Sequence, residues 1–219
     1  MAEDYLTDDE QLEAVKHWLV ENGPWLLAGA LLGGALLFGY RFYESHSNGV
    51  ALRAAAEFDQ MTSAIDKHDV AGARRVAEEL IGKYSGSPYA DQAELALASL
   101  SVNDGRLAAA VPPLTRVIDH SKDSELKKIA RLRLARVQIA EGKPDLALAT
   151  LSGGEPGAFA SLYHEVRGDA LSAKHDNAGA IAEYRSALAT ADPRYGDSAL
   201  LSLKIADLGA APAAGKAVP

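Results

Sequence analysis

The uncharged stretch from Asn22 to Tyr40 constrains the fold most, because it can cross a membrane as one helix. It holds 19 residues between the charged Glu21 and Arg41. At ~1.5 Å per residue a helix of this length spans about 28 Å, close to the ~30 Å hydrocarbon core of a bilayer. The sequence therefore predicts a transmembrane anchor over residues 24–43.

The flanks of this stretch favour an uncleaved anchor over two alternatives. A signal peptide needs a basic start, whereas residues 1–23 hold seven acidic residues and one Lys. A buried core helix needs apolar surroundings, and no other segment is apolar enough to cover the stretch on every face. Amphipathic rings favour the headgroup zone, and aromatic residues lie at both ends: Trp18, Trp25, Phe38, Tyr40, Phe42 and Tyr43.

Residues 1–23 predict an acidic, amphipathic tail. Thr7 and Glu10 form a capping-box pattern, and Asn22-Gly23 is where we expect this short helix to end. Such a helix docks on a membrane-protein partner or is simply a solvated helix leading into the anchor.

Inside the anchor, Gly29 and Gly33 have the spacing of a close-packing motif for membrane helices. Without large side chains, two helix backbones approach and gain van der Waals contact. We therefore predict a membrane helix contact at this pair. The alternative is a plain anchor, because small residues are common in membrane helices.

Composition indicates an all-α remainder that does not bind nucleic acid. Residues 1–21 hold seven of the 30 acidic and one of the 22 basic residues, so most of the net charge of −8 lies there. The nearly balanced remainder lacks the basic footprint that nucleic acid needs. The chain has no cysteine, which excludes disulfides and thiol catalysis. Ala and Leu dominate beyond residue 50, and β-branched residues never alternate as in a strand.

A repeat of 33 to 37 residues organises this remainder. Its turns lie at His68, Gly105, Gly142 and His175, and five residues after each turn comes an alanine: Ala73, Ala110, Ala147 and Ala180. Seven residues before the turns stand Met61, Ala98, Ala135 and Gly168, and four residues after the alanines stand Ala77, Leu114, Leu151 and Tyr184. Small residues let two helices approach, glycine permits a tight turn, and stacking buries each hairpin's apolar face.

This pattern resembles the tetratricopeptide repeat, most closely in the unit that contains Gly168, Ala180 and Tyr184. The predicted fold is all-α: a single N-terminal transmembrane helix followed by a tetratricopeptide-like helical-hairpin solenoid. The repeat domain covers residues 44–208, with about four hairpins and a terminal helix, and residues 209–219 form a disordered tail. Helices are predicted at 50–67, 71–84, 89–103, 107–119, 125–140, 144–152, 158–173, 177–190 and 196–208.

Three local sequences depart from the repeat pattern. Met61 replaces a small residue in the first unit. Pro112-Pro113 should start or kink the second unit's return helix. The glycine- and proline-rich segment 153–156 should shorten the third unit's return helix.

No motif indicates an enzyme, a cofactor or a metal site. The six histidines never fall at an i, i+4 spacing that chelates a metal from one helix face. Ser124 and Lys127 fit S-x-x-K, but we expect Ser124 to cap a helix that follows Asp123. What remains is a binding surface, because tetratricopeptide arrays line a groove with the first helices of successive hairpins. The predicted groove residues, each otherwise a solvated helix position, include no basic cluster and are Gln92, Leu95, Ser99, Asn103, Arg136, Glu165 and Asp169.

Between residues 8 and 208 the chain resembles the YfgM family, the tetratricopeptide-like ancillary subunits of the bacterial Sec translocon. The motifs that carry the resemblance are Glu10 to Lys16, Glu21-Asn-Gly23, Leu132 to Gln138 and Arg167 to Leu171. The resemblance implies an inner-membrane protein with a cytoplasmic tail and periplasmic repeats. It implies association with SecYEG and with PpiD, a membrane-anchored periplasmic chaperone of the prolyl-isomerase type.

Two functions follow from this resemblance. The first is a chaperone-like adaptor that helps nascent envelope proteins leave the translocon. The alternative is a scaffold whose N-terminal tail sequesters a cytoplasmic stress-response regulator. The count of Lys16 against Arg41 and Arg53 would instead keep the repeats in the cytoplasm. Since that margin is one residue, we adopt the orientation that the resemblance implies.

Overall fold

A computed structural model describes residues 8–191 and 198–209, and within them all regular structure is helical, so the predicted all-α fold is confirmed. A short 3₁₀ turn covers Gly157–Phe159. The α-helices of these residues are α1 Asp8–Asp66, α2 Val70–Lys83, α3 Pro88–Asn103, α4 Leu107–His120, α5 Ser124–Ala140, α6 Pro144–Leu151, α7 Ala160–Ala173, α8 Asn177–Thr190 and α9 Ser198–Asp207.

The chain divides into two compact units, Met1–Leu52 and Arg53–Pro219. In the first unit, the segment Lys16–Arg41 of α1 is long and apolar enough to cross a membrane, and none of it is buried in the protein. A core helix of a soluble protein would be mostly buried. The exposure of this segment therefore favours the predicted anchor.

The predicted helix end at Asn22-Gly23 is wrong, because α1 continues without a break to Asp66. A glycine inside a helix costs only about 1 kcal/mol. A break beside an apolar stretch would instead leave peptide groups unpaired where water is scarce. The capping residue Thr7 and the tail 210–219 lie outside the described residues, as does the side chain of Glu10. The predicted domain boundaries after residues 23, 43 and 208 stay predictions.

The second unit is a series of antiparallel helix pairs. Each helix from α2 onwards packs on the next in the chain, and α5 also packs on α3 and α7. From α2 onwards the helix ends lie close to the predicted ones, including the short α6 before segment 153–156, whereas the predicted helix start at residue 50 is wrong, because α1 already begins at Asp8. The first helices of the hairpins are the end of α1, then α3, α5 and α7, and the return helices are α2, α4, α6 and α8.

All four predicted turns share one backbone geometry. Their central residues have left-handed φ angles: 59° at His68, 71° at Gly105, 73° at Gly142 and 62° at His175. At the second turn, the amide of Gly105 donates to Val102 and that of Arg106 donates to Ser101, at 2.9 and 2.8 Å. The other turns repeat this pair of bonds, the Schellman motif that ends a helix.

At two of these turns the left-handed residue is a histidine, and the aspartate that follows it offsets the conformational cost by capping the next helix. Asp69 accepts a hydrogen bond from the amide of Gly72, and Asp176 accepts one from Gly179, so each caps the next helix. At the two glycine turns the following residue makes no side-chain cap. A non-glycine left-handed residue is uncommon, and here it occurs where the next helix has its own cap.

The repeat positions form complementary pairs of large and small side chains. Ala73, Ala110, Ala147 and Ala180 have no exposed surface. Met61 lies in one cluster with Ala77, Ala98 with Leu114, and Ala135 with Leu151. Met61 therefore fits a position that is elsewhere small, because its partner Ala77 is small in turn.

One expectation about a return helix and one about a cap are wrong. The helix α4 does not start at Pro112, since both prolines lie inside Leu107–His120, and the alternative of a kink there stays a prediction. Ala110, Leu114 and Val117 are buried in one cluster on both sides of Pro112, and this packing outweighs the lost hydrogen bonds. The cap of α5 is Asp123, which accepts from the amides two and three residues later, and Ser124 is the first helical residue.

Replacing Gly168 with Ala should lower the stability of the repeat unit by about 1–2 kcal/mol. An added Cβ would lie 2.6 Å from Cδ1 of Tyr184, whose ring is buried and cannot shift freely. Overpacking costs typically 1–3 kcal/mol, offset by up to about 1 kcal/mol of helix propensity. The measurement is thermal unfolding of the full-length chain in detergent, monitored by far-UV circular dichroism.

The matched control is Gly82→Ala, because no atom lies within 4 Å of an added Cβ there. That variant should be as stable as the wild type or slightly more stable. Equal stability of the two variants would contradict the close contact of α7 with α8.

Candidate protein-binding surface

The first helices of the first three hairpins enclose an apolar pocket of about 440 Å³. Leu95 is buried, Gln92 is half-buried, and Ser99 and Asn103 are exposed around the opening. Four predicted groove residues therefore lie around one concavity, which we call the apolar pocket. Its lining residues are Phe58, Ile65, Gln92, Leu95, Ala96, Ser99, Leu100, Asn103, Leu126, Ile129 and Arg133.

A second pocket, of about 330 Å³, lies between α3, α4 and α5. It contains the predicted groove residues Ser99 and Arg136. Because two arginines line it, we call it the arginine pocket. Its lining residues are Ala98, Ser99, Val102, Leu107, Leu114, Arg133, Arg136, Val137 and Ala140.

Arg133, which lines both pockets, is absent from the predicted groove residues. Its guanidinium donates a hydrogen bond of 3.4 Å to the carbonyl oxygen of Leu95. Burial lowers the pKa of Arg133, and the positive charge of Arg136 lowers this pKa further. The predicted groove contains no basic cluster, yet the structure brings two arginines together. Their i, i+3 spacing on α5 is the pattern in the sequence from which this pair could have been found.

Glu165 and Asp169 lie in neither pocket. Lys204 of α9 contacts a carboxylate oxygen of each at 2.8 Å. The hydroxyl of Tyr184 also donates to Asp169 at 2.8 Å, and Lys204 lies 5.5 Å from the centre of the Tyr184 ring. These carboxylates therefore hold α9 against α7 and α8.

The charges of this cluster shift two ionisations. Burial raises the pKa of Tyr184, as do the hydrogen bond and negative charge of Asp169. For Lys204, burial lowers the pKa, but hydrogen bonds to Asp169 and Glu165 outweigh it, so the pKa of Lys204 is raised overall. At neutral pH the cluster is thus a charged lysine between two carboxylates.

Gly29 and Gly33 lie on α1 in the first unit. No atom lies within 4 Å of a Cβ added to either glycine. The two positions therefore leave a gap on an unoccupied helix surface, and the predicted membrane contact stays a prediction.

The described residues form pockets that can hold a segment of another chain. In residues 8–191 and 198–209, no group of three or more His, Asp or Glu side chains is arranged to hold a metal ion. The features that do converge are two contiguous pockets on stacked helical hairpins, a common arrangement for binding another protein chain. Fold and site together define a tetratricopeptide-like repeat protein.

Comparison with known proteins agrees with this class. The profile of the tetratricopeptide repeat-like domain matches residues 16–210. The chain is 30% identical, over 207 residues, to a protein named ancillary SecYEG translocon subunit from Escherichia coli (strain K12), covering 93% of this chain and 98% of that protein. It is 26% identical over 182 residues to a protein of the same name from Haemophilus influenzae, with coverages of 83% and 89%. No solved structure matches the chain.

The chain therefore belongs to the YfgM family of ancillary SecYEG translocon subunits, within the tetratricopeptide repeat-like proteins. This is a non-catalytic kind of protein. Its apolar segment near the N-terminus fits a single-pass protein of the inner membrane.

Replacing Lys204 with Met should lower the free energy of unfolding at pH 7 by about 1–3 kcal/mol, because Glu165 and Asp169 lose their shared cation. Folding raises the pKa of Lys204 above its ordinary 10.5. The stabilisation is therefore complete below pH 10.5 and is lost as the pH rises through the raised pKa. Urea unfolding of both proteins at several pH values measures this difference.

Lys174→Met is the control, since Lys174 pairs with the well-exposed Asp145. Its effect should be much smaller, because solvent screens exposed ion pairs. The role of Lys204 would be refuted if Lys204→Met lost no more free energy of unfolding than the control. It would also be refuted if that loss did not shrink above pH 10.5.

Proposed function

We propose that this protein is a membrane-anchored, non-enzymatic adaptor of the Sec translocon with a chaperone-like role. It assists periplasmic trafficking of translocated proteins through protein–protein contacts. The observation that carries the proposal is the pair of contiguous pockets in a family whose relatives are named ancillary SecYEG translocon subunits.

The proposed topology has a cytoplasmic N-terminus, a single span and periplasmic repeats. The proposed anchor tethers the repeats to the membrane that a translocated chain crosses. The proposed partners are SecYEG, a membrane-anchored prolyl-isomerase-type chaperone such as PpiD, and nascent envelope proteins. The apolar segment Lys16–Arg41 and the family's association with the translocon support this arrangement.

The apolar pocket suits transient binding of an unfolded segment. Burying one Leu- or Phe-sized side chain contributes about 1.5–3 kcal/mol. One or two such contacts give weak, rapidly reversible binding, because association also costs several kcal/mol of translational and rotational freedom. An adaptor that hands a chain onwards needs this reversibility.

Photo-crosslinking tests the proposal at the groove. A photoreactive amino acid at Ser99 or Asn103, both exposed at the apolar pocket, should capture a Sec component, a periplasmic chaperone or an emerging chain. The same amino acid at Glu78, exposed on α2 and in neither pocket, should capture much less. Equal capture at all positions, or recovery of no Sec component or chaperone in mild detergent, would overturn the proposal.

The anchor has a separate test. Replacing Gly29 and Gly33 with Leu should lower the recovery of SecYEG by about tenfold, because large side chains keep two helix backbones apart. The control replaces Leu27 and Leu31, on the opposite face of α1, with Ala, and recovery should not change. Unchanged recovery in the glycine variant would make α1 a plain anchor while leaving the groove proposal standing.

The regulatory alternative depends on the N-terminal tail, whose first seven residues lie outside the described part of the chain. Deleting residues 1–21 separates the two functions. Loss of regulation with translocon association retained in this variant would favour the scaffold.

A further inference from the structure

The arginine pocket carries positive charge that the protein itself does not neutralise. Arg136 makes no hydrogen bond or ion pair with any residue the structure describes. Arg133 donates only to the carbonyl oxygen of Leu95, at 3.4 Å. Within the described chain, no Asp or Glu lines this pocket.

Two arginines on neighbouring helices are paired with carboxylates. Arg74 contacts Asp104 at 3.0 Å, and Arg116 forms a two-point contact with the buried Glu94. Arg133 and Arg136 lack such a partner among the described residues. Arg133 and Arg136 repel each other without a counterion, so an incoming anion gains charge-assisted hydrogen bonds without first displacing a bound carboxylate.

Below the guanidiniums the pocket is apolar. Ala98, Leu114 and Val137 are buried there, while Val102 is 39% exposed beside them. A free inorganic anion would leave this apolar surface in contact with water. A ligand that presents a carboxylate next to an aliphatic side chain satisfies both parts of the pocket.

The two pockets are neighbours, because Ser99 and Arg133 line both. A chain terminus would occupy one pocket and end there. Two neighbouring pockets instead suit an extended segment, with the carboxylate at Arg133 and Arg136 and a flanking apolar side chain in the apolar pocket.

We propose that the arginine pocket binds an internal Asp or Glu side chain of an extended polypeptide, flanked by aliphatic residues that fill the apolar surfaces on either side. The proposal rests on the adaptor function and specifies what its groove recognises. Arg136 and Arg133 both donate to the carboxylate, and a planar guanidinium does so through two parallel bonds.

The test is fluorescence anisotropy with the full-length chain in detergent micelles. The probe is a short labelled peptide, acetylated and amidated at its ends, with one Asp flanked by Leu and Val among Gly and Ser. Arg136→Gln should weaken binding about tenfold, or about 1.4 kcal/mol. Arg136→Lys, which keeps the charge but loses the planar fork, should have an intermediate effect.

Arg185→Gln is the matched control, because Arg185 is exposed on α8 and lines neither pocket. It should bind like the wild type, and far-UV circular dichroism should show equal helicity in all variants. An equal loss of peptide binding in Arg185→Gln would show that the overall charge of the protein, and not this pocket, attracts the peptide, and would overturn the proposal.

Two further peptides test whether the pocket recognises an internal carboxylate. The same peptide with Asn in place of Asp should bind about tenfold more weakly, and equal binding overturns the proposal. A peptide without Asp but with a free C-terminal carboxylate should also bind weakly. If the wild-type protein bound this peptide more tightly than the Asp peptide, the pocket would be a site for a terminal carboxylate instead. Recovery of SecYEG is measured in parallel, so failure of peptide binding with retained SecYEG refutes only this inference.

Discussion

Complementary volumes at paired helix positions are the constraint on which the repeat unit depends. Gly168 allows the ring of Tyr184 to lie against the backbone of α7, and Met61 lies in one cluster with the small Ala77. Each hairpin therefore has one large and one small partner, although which helix carries the large residue varies. Since a protein interior tolerates neither voids nor overlap, this exchange lets a degenerate repeat keep the same helix separation.

The binding surface follows from this packing. Left-handed residues at each turn send the chain back along the preceding helix, so first helices lie beside first helices. The apolar pocket forms where three first helices meet, and the arginine pocket forms where a return helix, α4, supplies the floor. At the C-terminal end, Lys204 of α9 forms ion pairs with Glu165 and Asp169. These two predicted groove residues therefore make contacts within the protein instead.

Much of the fold could be predicted because its determinants are local. A turn residue, a capping aspartate or an uncharged stretch acts within a few positions of itself. The helix end expected at Gly23 is wrong because the helix continues there, and α4 starts before Pro112 because buried Ala110 and Leu114 outweigh the cost of proline. At these positions the surroundings, which the local sequence does not describe, outweigh local propensities of about 1–3 kcal/mol.

The sequence by itself determined the length of the uncharged apolar stretch, the repeat period and the turns, since each depends on residues close together in the chain. Only the tertiary structure decided which charges are neutralised. Lys204 meets Asp169 across 35 positions and Arg116 meets Glu94 across 22, whereas Arg133 and Arg136 meet no acid among the described residues. Charge pairing depends on distance in space, so the pocket that stays positively charged became visible only when the helices were stacked.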